Sequence, residues 1–127
     1  DHNNILSNFL TDKIENGYKI PFRGPKNMLS LGSNEEGVRE VIHNDYLGFK
    51  NFNSNYEKEI DIIIVGDSFA EGVPFGNEHT ITEFINRKKN LNSLNFGFSG
   101  AGPLGSLGII REYGTVFKPK HTFYLYI

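Results

Sequence analysis

The sequence predicts an α/β domain built on an open parallel sheet, and three observations carry that prediction. Three apolar runs, IDIIIVG (60–66), LNSLNFGFS (91–99) and KHTFYLYI (120–127), read as strands. Between them lie two stretches with helical character, EHTITEFINRKKN (78–90) and PLGSLGIIREYGTVF (103–117). The first two strands each run into a glycine-rich stretch, GDSFAEGVPFG (66–76) and GFSGAGPLG (97–105). Strand, helix, strand, helix, strand makes a pair of right-handed crossover units, whose ligands belong at the carboxyl ends of the strands.

The amino-terminal elements come first. In NNILSNFLTDKIENG (3–17), Ile5, Leu6, Phe9, Leu10 and Ile14 share a helical face, and Asn16-Gly17 supplies a left-handed stop. This predicts a short amphipathic helix. YKIPFRGPKN (18–27) holds Pro21, Gly24 and Pro25 and reads as a linker or extended arm, so residues 1–27 are set apart from a domain over 28–127. Residues 28–57 alternate the short apolar pieces MLSL and VREVIH with turn-rich ones, which fits two short strands or a loose hairpin. The run 60–66 is apolar on both faces, as in the middle of a sheet covered by helices. In the helix after it, Ile81, Phe84 and Ile85 are expected to face inward, with Arg87, Lys88 and Lys89 at the end that suits positive charge. The second helix opens at Pro103 and carries Leu104, Leu107 and Ile110 on one side, weakened by Gly105, Gly108 and Gly114.

Composition narrows the function classes. The chain has 127 residues, about one domain, enough to bury roughly two thirds of its unfolded surface. Formal charge is −2, pI is near 6.1 and the basic residues are scattered, which argues against a nucleic-acid partner. With no cysteine there is no disulfide, thiolate metal site or cysteine nucleophile. No apolar run approaches the roughly 18 residues of a membrane span. The first residue is Asp1 and the last lies inside an apolar run, so both ends read as cuts in a longer polypeptide. A cut third strand is also an open edge, through which self-association is expected. The 15 asparagines are as compatible with genome base composition as with a role.

Two readings of Ser68 stand side by side. In one, Gly66 breaks the strand and Asp67 or Ser68 caps the adjoining helical turn. In the other, Ser68 is a nucleophile presented at the carboxyl end of a central strand. VGDSFAEG, with NFGFSGAGP about 25 residues later, resembles the first two blocks of the SGNH hydrolase superfamily, the GDSL-type serine esterases and acyl hydrolases. The segment GSNEEGVREVIHNDYLGFKNF resembles the lead-in of bacterial members, so the likeness covers about residues 32–127.

The resemblance implies a three-layer, flavodoxin-like sheet with strand order 2-1-3, incomplete at its carboxyl end. It implies an ester hydrolase or O-acyl transferase acting on a small-molecule or glycan ester through an acyl-serine on Ser68, with no metal or organic cofactor. Ser68 would supply the nucleophile and one oxyanion N–H, and Gly100 a second N–H. The alternative for Gly100 is a tight strand-to-helix turn. The family's third donor, in a G-x-N-D block, and its Asp-x-x-His base have no counterpart before Ile127. The 127 residues alone are therefore expected to be inactive, in a parent that is extracytoplasmic or membrane-anchored by analogy with exported relatives.

Other residues carry open alternatives. His79 and His121 read as surface or capping residues, Glu71 as a solvated loop residue or a substrate contact, Phe69 as core, and Asp67 as a loop pin. Asn95 reads as a tie between the two loops or an ordinary loop asparagine. From a different class, GAGPLG (100–105) spells G-x-G-x-x-G between strand and helix, the dinucleotide fingerprint, but no acid falls near Tyr124 to Ile127 where one is needed. A non-catalytic interaction module related to the same superfamily is the third reading.

Overall fold

A computed structural model of the protein describes residues 13–14, 17–18, 23–33 and 36–127. Strands β1 (Lys13–Ile14) and β2 (Gly17–Tyr18) form a minimal antiparallel pair. The helix expected over 3–17 otherwise lies outside the described residues; where it is described, Lys13 and Ile14 are strand. Next come β3 (Leu29–Ser33) and β4 (Arg39–His43), an antiparallel hairpin with Leu31 opposite Val41, matching the expected pair of short strands. The expected arm is docked at its end: Arg23 is buried and donates to the Leu47 carbonyl at 3.2 Å, and the Gly24 N–H donates to the Gly48 carbonyl at 2.8 Å.

The three apolar runs form one parallel sheet, β5 (Ile62–Gly66), β6 (Ser93–Gly97) and β7 (His121–Leu125), in the order β6-β5-β7. This is the 2-1-3 order, an α/β arrangement with β5 central. Between β5 and β6 lie α1 (Ser68–Glu71) and α2 (Ile81–Lys89). Between β6 and β7 lies α3 (Pro103–Ile109), continued by a π-helical turn (Ile110–Gly114) into α4 (Thr115–Phe117).

Strand periodicity divides the core into two layers. Ile63, Val65, Leu94 and Phe96 meet Phe49, Ala101, Ile109 and Tyr113 on one face, while Ile62 and Ile64 meet Ala70, Ile85 and Leu125 on the other. The inward faces of the helices differ from the expected ones. In α2 the buried residues are Thr82 and, in part, Ile85, whereas Ile81 and Phe84 are exposed. In α3 the buried residues are Gly105, Ser106 and Ile109, and Leu104 is 84% exposed. The inward side of α3 thus combines small Gly105 and Ser106 with Ile109, which packs into the core.

The two outer edges of the sheet are treated differently. On β6 the outward N–H and C=O of Ser93 both bond the Asn86 amide, at 2.7 and 3.2 Å, and those of Asn95 both bond the Asn51 amide, at 2.7 and 2.9 Å. Side-chain amides stand where a further strand would. On β7 the His121 N–H turns toward β5, so Thr122 and Tyr124 present their amides outward, without a backbone partner among the described residues. Phe123 is 55% exposed and Tyr124 44%.

An open, uncharged edge with exposed aromatic side chains is a pairing template. The isolated chain is expected to gain mass with concentration in light scattering, and Tyr124→Pro, which removes an outward N–H, should reduce that gain. Constant monomer mass across the concentration range would contradict the expectation. No helix among the described residues is long and apolar enough to cross a membrane.

Candidate active site

The site begins where β5 ends. Gly66 has φ +153°, and a Cβ there would press on the Leu125 carbonyl and the Ala70 side chain, so the strand leaves the sheet through a position suited to glycine. Asp67 is the cap: its carboxylate accepts the Phe69 N–H at 3.0 Å. Ser68 is the first helical residue, and its carbonyl accepts the N–H groups of Gly72 at 2.9 Å and Val73 at 3.1 Å. Its hydroxyl and its own N–H have no partner among the described residues. Phe69, expected in the core, is 60% exposed; Ala70 takes the inward place, because only a small side chain fits between Gly66 and Gly97. Helix α1 is a single turn, so free N–H groups rather than a macrodipole are what it offers an anion.

β6 brings a second loop against the first. Gly97 pairs in register with Gly66, and a Cβ on it would collide with the Glu71 nitrogen, so the two backbones pack directly on each other. The Phe98 N–H donates to the Gly66 carbonyl at 3.0 Å. Gly100 adopts φ +83° in a turn closed by the Ala101 N–H on the Phe98 carbonyl at 2.9 Å. A Cβ on Gly100 would meet nothing within 4 Å, and its N–H has no partner among the described residues.

Glu71 is more than a solvated loop residue. Its Oε2 accepts both the Ser99 N–H at 2.7 Å and the Ser99 hydroxyl at 2.6 Å. Asn95 ties the loops as well, donating Nδ2 to the Glu71 carbonyl at 3.3 Å and accepting the Gly97 N–H at 2.9 Å.

A polar chain that the sequence did not reveal runs from the far side of the fold into these loops. Buried Asp45 accepts the N–H groups of Leu47, Gly48 and Phe49 at 2.7–2.9 Å, the Asn51 amide at 2.9 Å and the Tyr56 hydroxyl at 2.6 Å. Burial pushes the Asp45 carboxyl up, against the pull of those donors, and burial beside Asp45 pushes the Tyr56 phenol up. Asn51 then bonds Asn95, and Asn95 bonds Glu71. Lys50 is also buried, and its ammonium donates to the carbonyls of Gly72, at 3.0 Å, and Phe75. Burial lowers its pKa, while Glu71 and Glu40 draw it back up. The string NDYLGFKN signals a turn, but no spacing in it points to partners more than 20 residues away.

His79 and His121 are placed by other contacts. His79 Nδ1 lies 2.9 Å from Glu40 Oε2, with the Phe75 ring edge-on to it. His121 opens β7 at the amino end of the sheet. Buried Asn77 joins the same region to β4, bonding the N–H and carbonyl of His43, each at 2.8 Å.

The Gly76 N–H, and after it His79, hold the Glu40 carboxyl below its usual range. A depressed carboxyl contributes stability that is present above its unfolded value and lost as pH falls through its folded value. The chain should therefore have a higher urea midpoint than Glu40→Gln at neutral pH, and the gap should close as pH falls below the ordinary carboxylate range. A gap that does not change with pH would exclude this linkage.

Among the described residues no group of His, Asp and Glu could hold a metal ion. A groove of about 350 Å³, lined in part by Lys58, Asp61, Asn92 and Lys120, opens at the amino ends of the strands, away from Ser68. The GAGPLG stretch is the β6–α3 turn, with Gly102 as the helix cap, and β7 ends in Leu125 with no acid to take a ribose hydroxyl. Comparison of the chain with protein-family models, with curated proteins and with solved structures gives no match.

Proposed function

We propose that these residues carry the nucleophile side of a serine acyl hydrolase or O-acyl transferase acting on an oxygen ester of a small molecule or glycan. Ser68 is the nucleophile and one oxyanion donor, and Gly100 is the second donor. One observation carries the reading. The Ser68 hydroxyl, the Ser68 N–H and the Gly100 N–H, all without partners among the described residues, stand on two mutually bonded loops at the carboxyl ends of adjacent parallel strands.

In the proposed reaction Ser68 Oγ attacks the ester carbonyl carbon and gives its proton to a general base. The carbonyl oxygen becomes an oxyanion facing the two N–H groups. Collapse breaks the bond to the alcohol, which leaves with that proton, and water or an acceptor hydroxyl then removes the acyl group from Ser68. His79, engaged by Glu40, and His121, at the opposite end of the sheet, are not assigned as the base. The reading takes the base from the Asp-x-x-His block of the resembling superfamily.

The test is covalent labelling of the chain by a fluorophosphonate at mildly alkaline pH, where solvent hydroxide can replace the base, with peptide mapping. Phosphonylation confined to Ser68 is the expected result. An unlabelled Ser68, together with thermal stabilisation by a dinucleotide, would replace this reading with nucleotide binding at the Gly100–Gly105 turn.

A further inference from the structure

We propose that Glu71 is a positioning residue of this site, orienting the Ser99–Gly100 peptide so that the Gly100 N–H is presented beside Ser68; the inference rests on the acyl-transfer reading above. Glu71 lies three residues after Ser68 in the same helical turn, so nucleophile and clamp move as one body. Its Oε2 holds Ser99 at two points, the N–H at 2.7 Å and the hydroxyl at 2.6 Å. Bonds to a carboxylate are shorter and about twice as strong as neutral ones.

Fixing both the backbone and the side chain of Ser99 restricts rotation about that residue. The next peptide is planar, so the direction of the Gly100 N–H is restricted with it. Among the described residues nothing lies within 4 Å of where a Cβ on Gly100 would stand. The clamp is itself anchored at the Glu71 carbonyl by Asn95, which buried Asn51 holds in turn. Lys50 donates its ammonium to the carbonyls of Gly72 and Phe75, and its charge also acts on the Glu71 carboxylate.

Two readouts on the 127-residue chain test this. In amide NMR spectra, Glu71→Ala should move the Gly100 resonance and speed its hydrogen exchange, while amides of β5 and β6 stay in place. In the labelling reaction, Glu71→Ala should slow phosphonylation of Ser68 by roughly ten- to a hundredfold, somewhat less than the complete loss of an oxyanion donor. Glu71→Gln keeps an acceptor oxygen and should recover most of the rate, which a purely structural role would not require. Ser99→Ala removes only the hydroxyl arm and should slow labelling about threefold, and it keeps the test decisive if Glu71→Ala does not fold.

Labelling of Glu71→Ala, or of Ser99→Ala if that variant must stand in, at the parent rate would overturn the proposal, as would an unmoved Gly100 resonance. Failure of the acyl-transfer reading looks different: the parent chain stays unlabelled while Gly100 still responds to Glu71→Ala. That result would overturn the catalytic role of the clamp.

Discussion

Ser68→Ala is expected to remove acyl transfer while leaving the fold intact. In a polypeptide that joins these residues to a general base, turnover of an activated acetyl ester should fall at least about a thousandfold, as when a covalent nucleophile is deleted. The 127 residues alone should hydrolyse that ester no faster than their Ser68→Ala form. The structure makes the two parts of this prediction separable. Asp67, not Ser68, caps α1, and the Ser68 hydroxyl has no partner among the described residues. Its removal should therefore change stability by no more than about 0.5 kcal/mol, the range of ordinary surface substitutions. Equal turnover with and without the hydroxyl would make Ser68 only the first residue of a turn.

The largest loss of stability is expected at Asp45→Ala. The carboxylate accepts five hydrogen bonds in a site that is 1% exposed; alanine would leave the Leu47 and Phe49 N–H groups and the Tyr56 hydroxyl to find other partners, while Gly48 keeps its bond to the Asp45 backbone carbonyl and Asn51 its bond to Asn95. Unsatisfied buried donors cost about 1–3 kcal/mol each, and water or rearrangement recovers part of this, so a net loss of about 3–5 kcal/mol is expected. Domains of this kind are stable by only about 5–15 kcal/mol, so much of the population should unfold at moderate temperature. Urea unfolding of the two chains measures it. A loss below about 1 kcal/mol would mean that the network is rebuilt around water.

Asp45→Ala also reaches the site, because Asn51 links the Asp45 carboxylate to Asn95, and Asn95 links to Glu71. In whatever fraction stays folded, the Gly100 amide should be less protected from exchange.

Much of this fold is legible in the sequence because it rests on local signals. Strand-like stretches rich in apolar residues marked β5, β6 and β7, and the alternation of strand and helix required parallel pairing through right-handed crossovers. Glycine and proline marked where strands stop, and so placed the two loops at one end of the sheet. What the sequence misplaced were helix faces. Leu104 and Phe84 are apolar, yet the sheet accepts the sides carrying Gly105, Ser106 and Thr82, since backbone distance decides which face can approach. Phe69 lies outside the core for the same reason.

The sequence by itself determined that Ser68 and Gly100 each come after a strand in glycine-bearing loops, because strand propensity and turn chemistry act between neighbours along the chain. Only the tertiary structure decided that Asp67 does the capping, that asparagine side chains close the β6 edge while the β7 edge has no strand partner on its outer side among the described residues, and that Glu71 grips Ser99 across 28 residues of sequence. The Asn51–Asn95 and Glu71–Ser99 contacts are hydrogen bonds between polar groups far apart in the chain. Their partners are chosen by which buried donors and acceptors the packed sheet leaves face to face, and no local pattern encodes that choice.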